Sequence, residues 1–197
     1  QNYFEERGIR FSFDDRKLVS GDEDGRLEIV LVKNTDLPTY VHHAITGLGI
    51  CGADTLYESG WDFLELLRFP FGSTRICLAG RDEGPQSEER PQRMKVATKF
   101  TRFSRDYFHK QGIPVEVIKL NGSVELAPIL GLAPYIVDLV ETGTTLKANK
   151  LSVISELAKI HVYLVANPAY YKLNFRRIDA LVSELEERKK ENMDETS

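Results

Sequence analysis

The stretch Ile136-Val-Asp-Leu-Val-Glu-Thr-Gly-Thr-Thr-Leu146 joins an apolar strand directly to a loop of acids, hydroxyls and glycine. Residues 135–140 are mostly β-branched or apolar, which predicts a buried strand. Residues 142–145 predict a tight turn that opens a short helix over 146–149. We interpret the rest of the chain as organised around this strand and loop.

The loop has the chemistry of a phosphate site. Gly143 lets a ligand approach the backbone closely, the first N–H groups of a helix lack partners inside the helix, and three threonine hydroxyls add donors. Asp138 and Glu141, just before the loop, are placed to accept hydrogen bonds from ribose hydroxyls or to share a hard cation. The pattern favours a phosphorylated sugar as ligand, although an ordinary strand, turn and helix with a capping threonine explains the same residues equally well.

The composition indicates a globular protein without a general affinity for nucleic acid or membranes. The chain has 197 residues, 42% hydrophobic and 28% charged, and its 26 basic and 30 acidic side chains leave a net charge of -4. Any anion must therefore be bound locally. No apolar run is long enough to span a bilayer, and no leader is recognisable. Cys51 and Cys77 lie in apolar surroundings without metal-ligand spacing, so we expect buried thiols, no disulfide and no structural zinc.

The first half of the chain predicts short strands and two helices. We expect a hairpin whose first strand covers 9–13 and whose turn covers 21–25, then a strand over 26–33 and a helix from Pro38 to about 44. A glycine-bounded strand then leads into a helix capped by Asp54. The last three segments are predicted as core over 61–71, a strand over 73–79, and a polar linker with a domain boundary over 80–92.

The second half alternates strands with helices. Strands are expected over 95–98, 115–120 and 135–140, helices over 102–110 and 124–130, one or two strands over 153–166, and a final amphipathic helix from Asn167. This rhythm predicts an α/β fold of mostly parallel sheets flanked by helices, with ligands beyond the carboxyl ends of the strands. We place one lobe at 1–82 plus 164–197 and the second at 83–163.

A resemblance to one family extends over nearly the whole chain. The signature of ATP phosphoribosyltransferase is similar to the pattern made by Glu125, Gly131, Ala133, Ile136, Asp138, Leu139, Thr142, Gly143, Thr145 and Leu146. Stretches at 15–18, 34–40, 48–54, 96–99 and 122–128 also resemble that family. The resemblance implies two lobes like those of type II periplasmic binding proteins, with the active site in the cleft between them. It also implies the first step of histidine biosynthesis, in which N1 of ATP attacks C1 of phosphoribosyl pyrophosphate (PRPP) and pyrophosphate leaves.

The same resemblance implies roles for individual residues. Asp138 and Glu141 would hold the ribose, the loop would bind its 5′-phosphate, and Arg16 would reach the pyrophosphate from the other lobe. The catalytic candidates are therefore Arg16, Asp138 and Glu141. The transition state carries positive charge on the ribose ring, which the carboxylates stabilise. It carries negative charge on the leaving pyrophosphate, which Arg16 and Mg²⁺ stabilise. The expected PRPP contacts are Arg16, Asp138, Glu141, Thr142, Gly143, Thr144, Thr145 and Leu146. The further cleft candidates are Asp54, Thr98, Lys99, Ser123 and Glu125.

The resemblance also implies partners. The sequence stops after the helix expected over 167–190, which resembles the short form of the family, so we expect no further domain and a histidyl-tRNA-synthetase-like regulatory subunit as partner. We therefore expect a cytoplasmic hetero-oligomer that uses ATP and PRPP, with Mg²⁺ held mainly by substrate phosphates. The family's opening strand and Lys-Gly-Arg segment have no counterpart after Gln1, so we expect that an N-terminal segment is missing. The alternatives are a solute-binding module of the same fold, a phosphoribosyltransferase with another acceptor, and an inactive paralogue.

Overall fold

The computed structural model describes residues 2–14, 16–81 and 93–194, and it describes side-chain surroundings as far as residue 186. In chain order the helices are α1 (Asn2–Glu5), α2 (Leu37–His42), α3 (Ala53–Ser59), α4 (Thr101–Lys110), α5 (Leu126–Ile129), α6 (Thr144–Ala148) and α7 (Pro168–Asp194). The strands are β1 (Val19–Gly21), β2 (Glu28–Val30), β3 (Leu48–Gly52), β4 (Leu64–Arg68), β5 (Thr74–Arg81), β6 (Met94–Thr98), β7 (Val115–Lys119), β8 (Tyr135–Val140), β9 (Leu151–Ile160) and β10 (Val162–Ala166).

The chain divides into two compact units. Unit 1 consists of Gln1–Cys51, Asp62–Leu67 and Leu164–Ser197, and unit 2 consists of Gly52–Trp61 and Arg68–Tyr163. Unit 2 is thus larger than the lobe predicted at 83–163, because α3 and β5 belong to it. The linker predicted over 80–92 lies almost entirely at 82–92, outside the described residues.

In unit 1 a short hairpin follows α1, and the strand predicted over 9–13 is not formed. β1 pairs antiparallel with β2, and segment 9–13 contributes only an isolated bridge between Phe11 and Asp22. Phe11 packs edge-on against Phe4, with ring centroids 6.1 Å apart. The alternating pattern of this segment is therefore satisfied by aromatic packing instead of a strand ladder, and that prediction was wrong.

The long helix α7 anchors unit 1. Asn167 caps it, since its Oδ1 accepts the backbone N–H of Ala169 at 2.9 Å and of Tyr170 at 3.0 Å, and the predicted start is confirmed. The apolar face predicted for this helix includes Phe175, Ile178 and Leu185. Ile178 and Leu185 are buried, whereas Phe175 is 47% exposed, so this face is not packed at its first residue.

Unit 2 is built on a mixed five-stranded sheet in the order β7-β6-β8-β5-β9. β6 runs parallel to both β7 and β8, while β5 runs antiparallel to both β8 and β9. The α/β class is confirmed, but the expectation of a mostly parallel sheet is wrong here. Parallel neighbours need a crossover connection, and the connections from β6 to β7 and from β7 to β8 contain α4 and α5.

The central strand β8 is buried on both faces of the sheet. Successive residues of one strand belong to opposite hydrophobic clusters, because side chains alternate along a strand. Ile136 lies in the cluster that includes Leu146, and its neighbour Val137 lies in the cluster that includes Phe108 of α4. Burial on both sides explains the nearly continuous apolar run at 135–140, and the predicted buried strand is confirmed.

Three smaller predictions need correction. α3 begins at Ala53 with Gly52 as its capping residue, so Asp54 lies in the first turn and is not the cap. The helix predicted over 124–130 is reduced to α5. Of the apolar stretch predicted as core over 61–71, Phe69 is buried, but Leu64 and Phe71 are exposed by 37% and 39%.

Candidate functional site

Lys99 and Asp138 meet at the carboxyl ends of two parallel strands in unit 2. The register of β6 with β8 pairs Thr98 with Val137, so the next residue of each strand lies side by side. The ammonium nitrogen of Lys99 lies 3.4 Å from Oδ1 of Asp138. This ion pair is the centre of the candidate site.

The turn after β6 is held by the hydroxyl of Thr98. Its Oγ1 donates to the carbonyl oxygen of Val137 at 2.6 Å and accepts the backbone N–H of Phe100 at 2.9 Å. Thr98 is completely buried. Its hydroxyl is therefore used inside unit 2, where it fixes the point at which Lys99 leaves the strand.

Asp138 is half-buried, and its described contacts fall on one oxygen. Besides the ammonium of Lys99, Oδ1 accepts the backbone N–H of Leu139 at 2.8 Å. A carboxylate offers about four acceptor positions on its two oxygens. Oδ2 is thus the atom with which Asp138 would accept a hydrogen bond from a hydroxyl group of a ligand.

A second carboxylate, Asp54, acts on the same lysine. Asp54 is 7% exposed in the first turn of α3, and a Cβ on Gly52 would lie 2.2 Å from its Oδ1, so the close approach requires glycine. Burial raises the pKa of Asp54, and the backbone N–H groups of Thr55 and of Asp54 itself, together with the charge of Lys99, oppose that rise. Lys99 therefore forms an ion pair with Asp138 and also affects the pKa of Asp54.

The loop after β8 exposes its hydroxyls. Glu141, Thr142, Thr144 and Thr145 are all exposed. The hydroxyls of Thr142 and Thr144 share a hydrogen bond of 2.9 Å, and Thr142 Oγ1 accepts the backbone N–H of Thr144 at 3.4 Å. Gly143 is the capping residue of α6, and no side chain caps that helix, so the capping threonine considered from the sequence is not found.

Gly143 and Leu146 shape this loop from within. Gly143 has a φ of 76°, which side-chain-bearing residues rarely adopt, and α6 starts directly after it, two residues earlier than predicted. Leu146 is 5% exposed in the hydrophobic core of unit 2. Its side chain anchors the loop to the sheet, whereas the residues before it face outward.

The other predicted residues lie elsewhere. Ser123 is exposed with a φ of 48°, and Glu125 is half-buried directly before α5; no described contact joins either to Lys99 or Asp138. Arg16 belongs to unit 1, where it lies exposed in a turn with a φ of 70°. The structure thus gathers Asp54, Lys99 and Asp138, with the loop directly following β8.

Glu58 is a residue that sequence reasoning missed. Its carboxylate accepts the backbone N–H of Arg102 at 3.1 Å and of Phe103 at 2.7 Å, at the start of α4. Phe100 occupies the capping position of that helix and offers no side-chain acceptor. The only signal in the sequence was this absence of a capping residue before a good helix.

Neither a metal centre nor a membrane span is found in the part of the chain that the structure describes. No group of three or more His, Cys, Asp or Glu side chains among residues 2–14, 16–81 and 93–186 has the arrangement to hold a metal ion. No described helix is long and apolar enough to cross a membrane. Cys51 and Cys77 are buried thiols without a disulfide, and burial raises the pKa of Cys77.

Comparison with known proteins shows the family. A family model described as ATP phosphoribosyltransferase, HisG, matches residues 33–187. This chain belongs to the ATP phosphoribosyltransferase family. The family named from the sequence is therefore confirmed, and with it the activity, an enzyme that transfers a phosphoribosyl group from PRPP to ATP in the first step of histidine biosynthesis.

Individual members of the family match most of the chain. The ATP phosphoribosyltransferase of Clostridioides difficile strain 630 is 39% identical over 180 residues, which cover 91% of this chain and 86% of that protein. The enzyme of Thermoanaerobacter sp. strain X514 is 45% identical over 172 residues, which cover 87% of this chain and 80% of its own. These ATP phosphoribosyltransferases are thus similar to this chain well beyond the loop at 141–145.

Solved structures agree on the fold. The ATP phosphoribosyl transferase (HisG:HisZ) complex from Thermotoga maritima superposes with a TM-score of 0.77 at 31% identity, covering 94% of this chain and 90% of that one. The periplasmic aliphatic sulphonate binding protein SsuA from Escherichia coli superposes with a TM-score of 0.53 at 12% identity, covering 78% of this chain and 58% of that one. The expected likeness of ATP phosphoribosyltransferase to periplasmic binding proteins is confirmed, and at such low identity it concerns the fold alone.

Proposed function

We propose that the loop 141–145 and Asp138 bind the ribose 5-phosphate part of PRPP while N1 of ATP attacks C1. The observation that carries this assignment is the exposed run of hydroxyls that directly follows the strand holding Asp138. Exposed threonine hydroxyls donate to phosphate oxygens, and an ionised carboxylate accepts from ribose hydroxyls. Family membership supports the reaction, and the hydroxyls and carboxylate of this segment support its assignment as the PRPP site.

The residues would stabilise opposite charges in the transition state. As the bond from C1 to pyrophosphate breaks, the ribose ring gains positive charge, which Asp138 and Glu141 favour. The leaving pyrophosphate gains negative charge, which a guanidinium such as Arg16 favours by bidentate hydrogen bonding. No covalent nucleophile is needed, and orienting the two substrates supplies about 7–11 kcal/mol of the lowered barrier.

Mg²⁺ belongs to the proposal as a substrate-borne ion. Phosphoribosyltransferases generally need a divalent metal, and Mg²⁺ prefers substrate phosphates plus one or two carboxylates over a cage of protein ligands. The absence of a metal-binding cluster among the described residues is compatible with that arrangement. The ion would neutralise the pyrophosphate, and the carboxylates that could complete its coordination are Glu141 in the loop and Asp138 in the strand before it.

We extend the proposal to a partner and a compartment. The Thermotoga maritima relative is a complex of HisG with HisZ, so we propose that this chain also works with a regulatory subunit resembling histidyl-tRNA synthetase. ATP and PRPP are both intracellular metabolites, so the cytoplasm is the proposed compartment. Size-exclusion chromatography of the chain with and without that subunit tests the assembly.

The deciding experiment is an assay for the adduct of ATP and PRPP. Purified protein is mixed with ATP, PRPP and Mg²⁺, with and without the regulatory subunit, and the absorbance of the product is followed. Adduct formation that requires both substrates is expected. Turnover of PRPP with a different acceptor, or titration calorimetry showing binding of a free amino acid but not of PRPP, would overturn the assignment.

A further inference from the structure

We propose that Lys99 is a positioning residue for Asp138: its ammonium group holds Oδ1 so that Oδ2 faces the ribose of PRPP. This inference rests on the proposed function, which gives Asp138 the ribose. It adds a role for Lys99, which acts through the carboxylate and not on the substrate itself.

The geometry at Asp138 is that of an oriented carboxylate. The ammonium of Lys99 forms an ion pair at 3.4 Å, and the N–H of Leu139 donates a hydrogen bond at 2.8 Å, to the same oxygen. Torsions that end in a planar carboxylate have broad energy wells, so a carboxylate without such donors turns easily. With Oδ1 held, Oδ2 keeps one direction, and a hydroxyl ligand finds it already oriented.

Lys99 is itself fixed at several points. It directly follows Thr98, whose hydroxyl is bonded on two sides within the sheet. Its ammonium lies 4.9 Å from the ring centroid of Phe100, a cation–π contact with a ring that is 4% exposed. The charge of Lys99 also lowers the pKa of Asp54 in α3 slightly, against the larger effect of burial. A lysine whose side chain is 44% exposed is usually free to move, and these contacts restrict it.

A second lysine offers a matched control on the same strand. Lys95 Nζ lies 3.8 Å from Glu116 Oε2, with both side chains about half exposed, much as Lys99 is. Lys95 stands near the amino end of β6, away from the carboxyl ends that carry the site. Removal of its charge tests the cost of losing an exposed ion pair without touching the site.

A double-mutant cycle separates the positioning role from a direct contact with substrate. Lys99→Met, Asp138→Asn and the double variant are compared by kcat and by KM for PRPP in the complete enzyme with its regulatory subunit. We expect Lys99→Met to lower kcat/KM about tenfold or more, since misplacing a reacting group by about 1 Å costs up to about 100-fold. In the Asp138→Asn background the same change should have less than about a twofold effect, because the carboxylate through which Lys99 acts is then gone.

Conservative replacement adds a readout that general loss of structure would not give. Lys99→Arg should recover most of the lost activity, because a guanidinium can also donate to Oδ1. Lys95→Met should leave both constants unchanged, and circular dichroism should show all variants folded. Multiplicative effects of the two single changes, or a Lys99→Met enzyme with wild-type constants, would overturn the positioning role.

The outcomes also separate this inference from the proposed function. If the wild-type enzyme forms no adduct, the reaction assignment fails. If it forms adduct and Asp138→Asn has no effect, the ribose assignment fails and the role of Lys99 falls with it. If Asp138→Asn is impaired and Lys99→Met is not, the positioning role alone fails.

Discussion

The carboxylate of Glu58, at the end of α3, accepts the backbone N–H of Phe103 in the first turn of α4 at 2.7 Å. Its other oxygen accepts the N–H of Arg102 at 3.1 Å. Free N–H groups at the start of a helix need acceptors, and a negative charge there also interacts favourably with the helix dipole. A side chain from one helix thus does the capping that the next helix lacks in its own sequence.

Removing this cap should loosen unit 2. Glu58→Ala is expected to lower the free energy of unfolding by about 1–2 kcal/mol, the usual range for a lost helix cap. Urea denaturation followed by circular dichroism measures the change. Glu116→Ala, which removes only the exposed partner of Lys95, is the control and should cost at most about 0.5 kcal/mol. Equal effects of the two changes would contradict the capping role.

Asp54 should make stability depend on pH. Burial raises the pKa of its carboxyl above the ordinary 3.8, so the folded state resists ionisation more than the unfolded state. The protonated carboxyl of Asp54 therefore contributes to the free energy of unfolding. This contribution is fully present below pH 3.8 and is lost as the pH rises through the pKa that Asp54 has in the folded state. Asp54→Asn should therefore raise the melting temperature near pH 7, with the gain shrinking toward pH 4. A gain of constant size at every pH would show that ionisation is not the cause.

The hydroxyl of Ser104 is a buried group without compensation. Ser104 in α4 is completely buried, and its Oγ has no hydrogen-bond partner among the described residues. Because an unpaired buried hydroxyl costs about 1–3 kcal/mol, Ser104→Ala should increase the free energy of unfolding by a similar amount. Ser183→Ala, at an exposed position of α7, controls for the better helix propensity of alanine. A loss of stability at position 104 would reveal a partner for this hydroxyl.

The threonines of the loop should govern the affinity for PRPP. Thr142→Val or Thr145→Val keeps the side-chain volume and removes a donor to the phosphate, so KM for PRPP should rise about tenfold, as for a lost hydrogen bond to a charged group. KM for ATP should change little. Steady-state kinetics measures both, with Thr39→Val on α2 as a threonine control in unit 1. Unaltered kinetics in both loop variants would contradict the proposal that this loop binds the 5′-phosphate.

Arg16 should affect the chemical step. If its guanidinium stabilises the departing pyrophosphate, Arg16→Ala should lower kcat about 100-fold, the usual effect of deleting one donor to a developing negative charge. Lys17→Ala changes a neighbouring exposed cation that pairs with Asp14 and should leave kcat unchanged. Rapid-quench measurement of a single turnover separates chemistry from product release. A loss confined to ATP affinity would assign Arg16 to the other substrate.

Local sequence determined the elements around the site because their causes are local. The β-branched run at 135–140 is buried on both faces of the sheet, and glycine at 143 supplies the positive φ that opens α6. Asn167 begins α7 because an amide oxygen caps a helix two or three residues ahead. The alternating segment 9–13 misled the prediction, because the same alternation serves aromatic packing as well as a strand ladder.

The sequence by itself therefore determined the family, the α/β class and the chemistry of the loop, since hydroxyls, glycine and carboxylates stand within eight residues of one another in 138–145. Tertiary structure alone decided which side chains, distant in sequence, interact electrostatically. Lys99 reaches Asp138 only because β6 and β8 pair in parallel with Thr98 beside Val137, and Asp54 joins them only because α3 packs within the same unit. Such contacts depend on strand order and register over many residues, which hydrophobic periodicity leaves open.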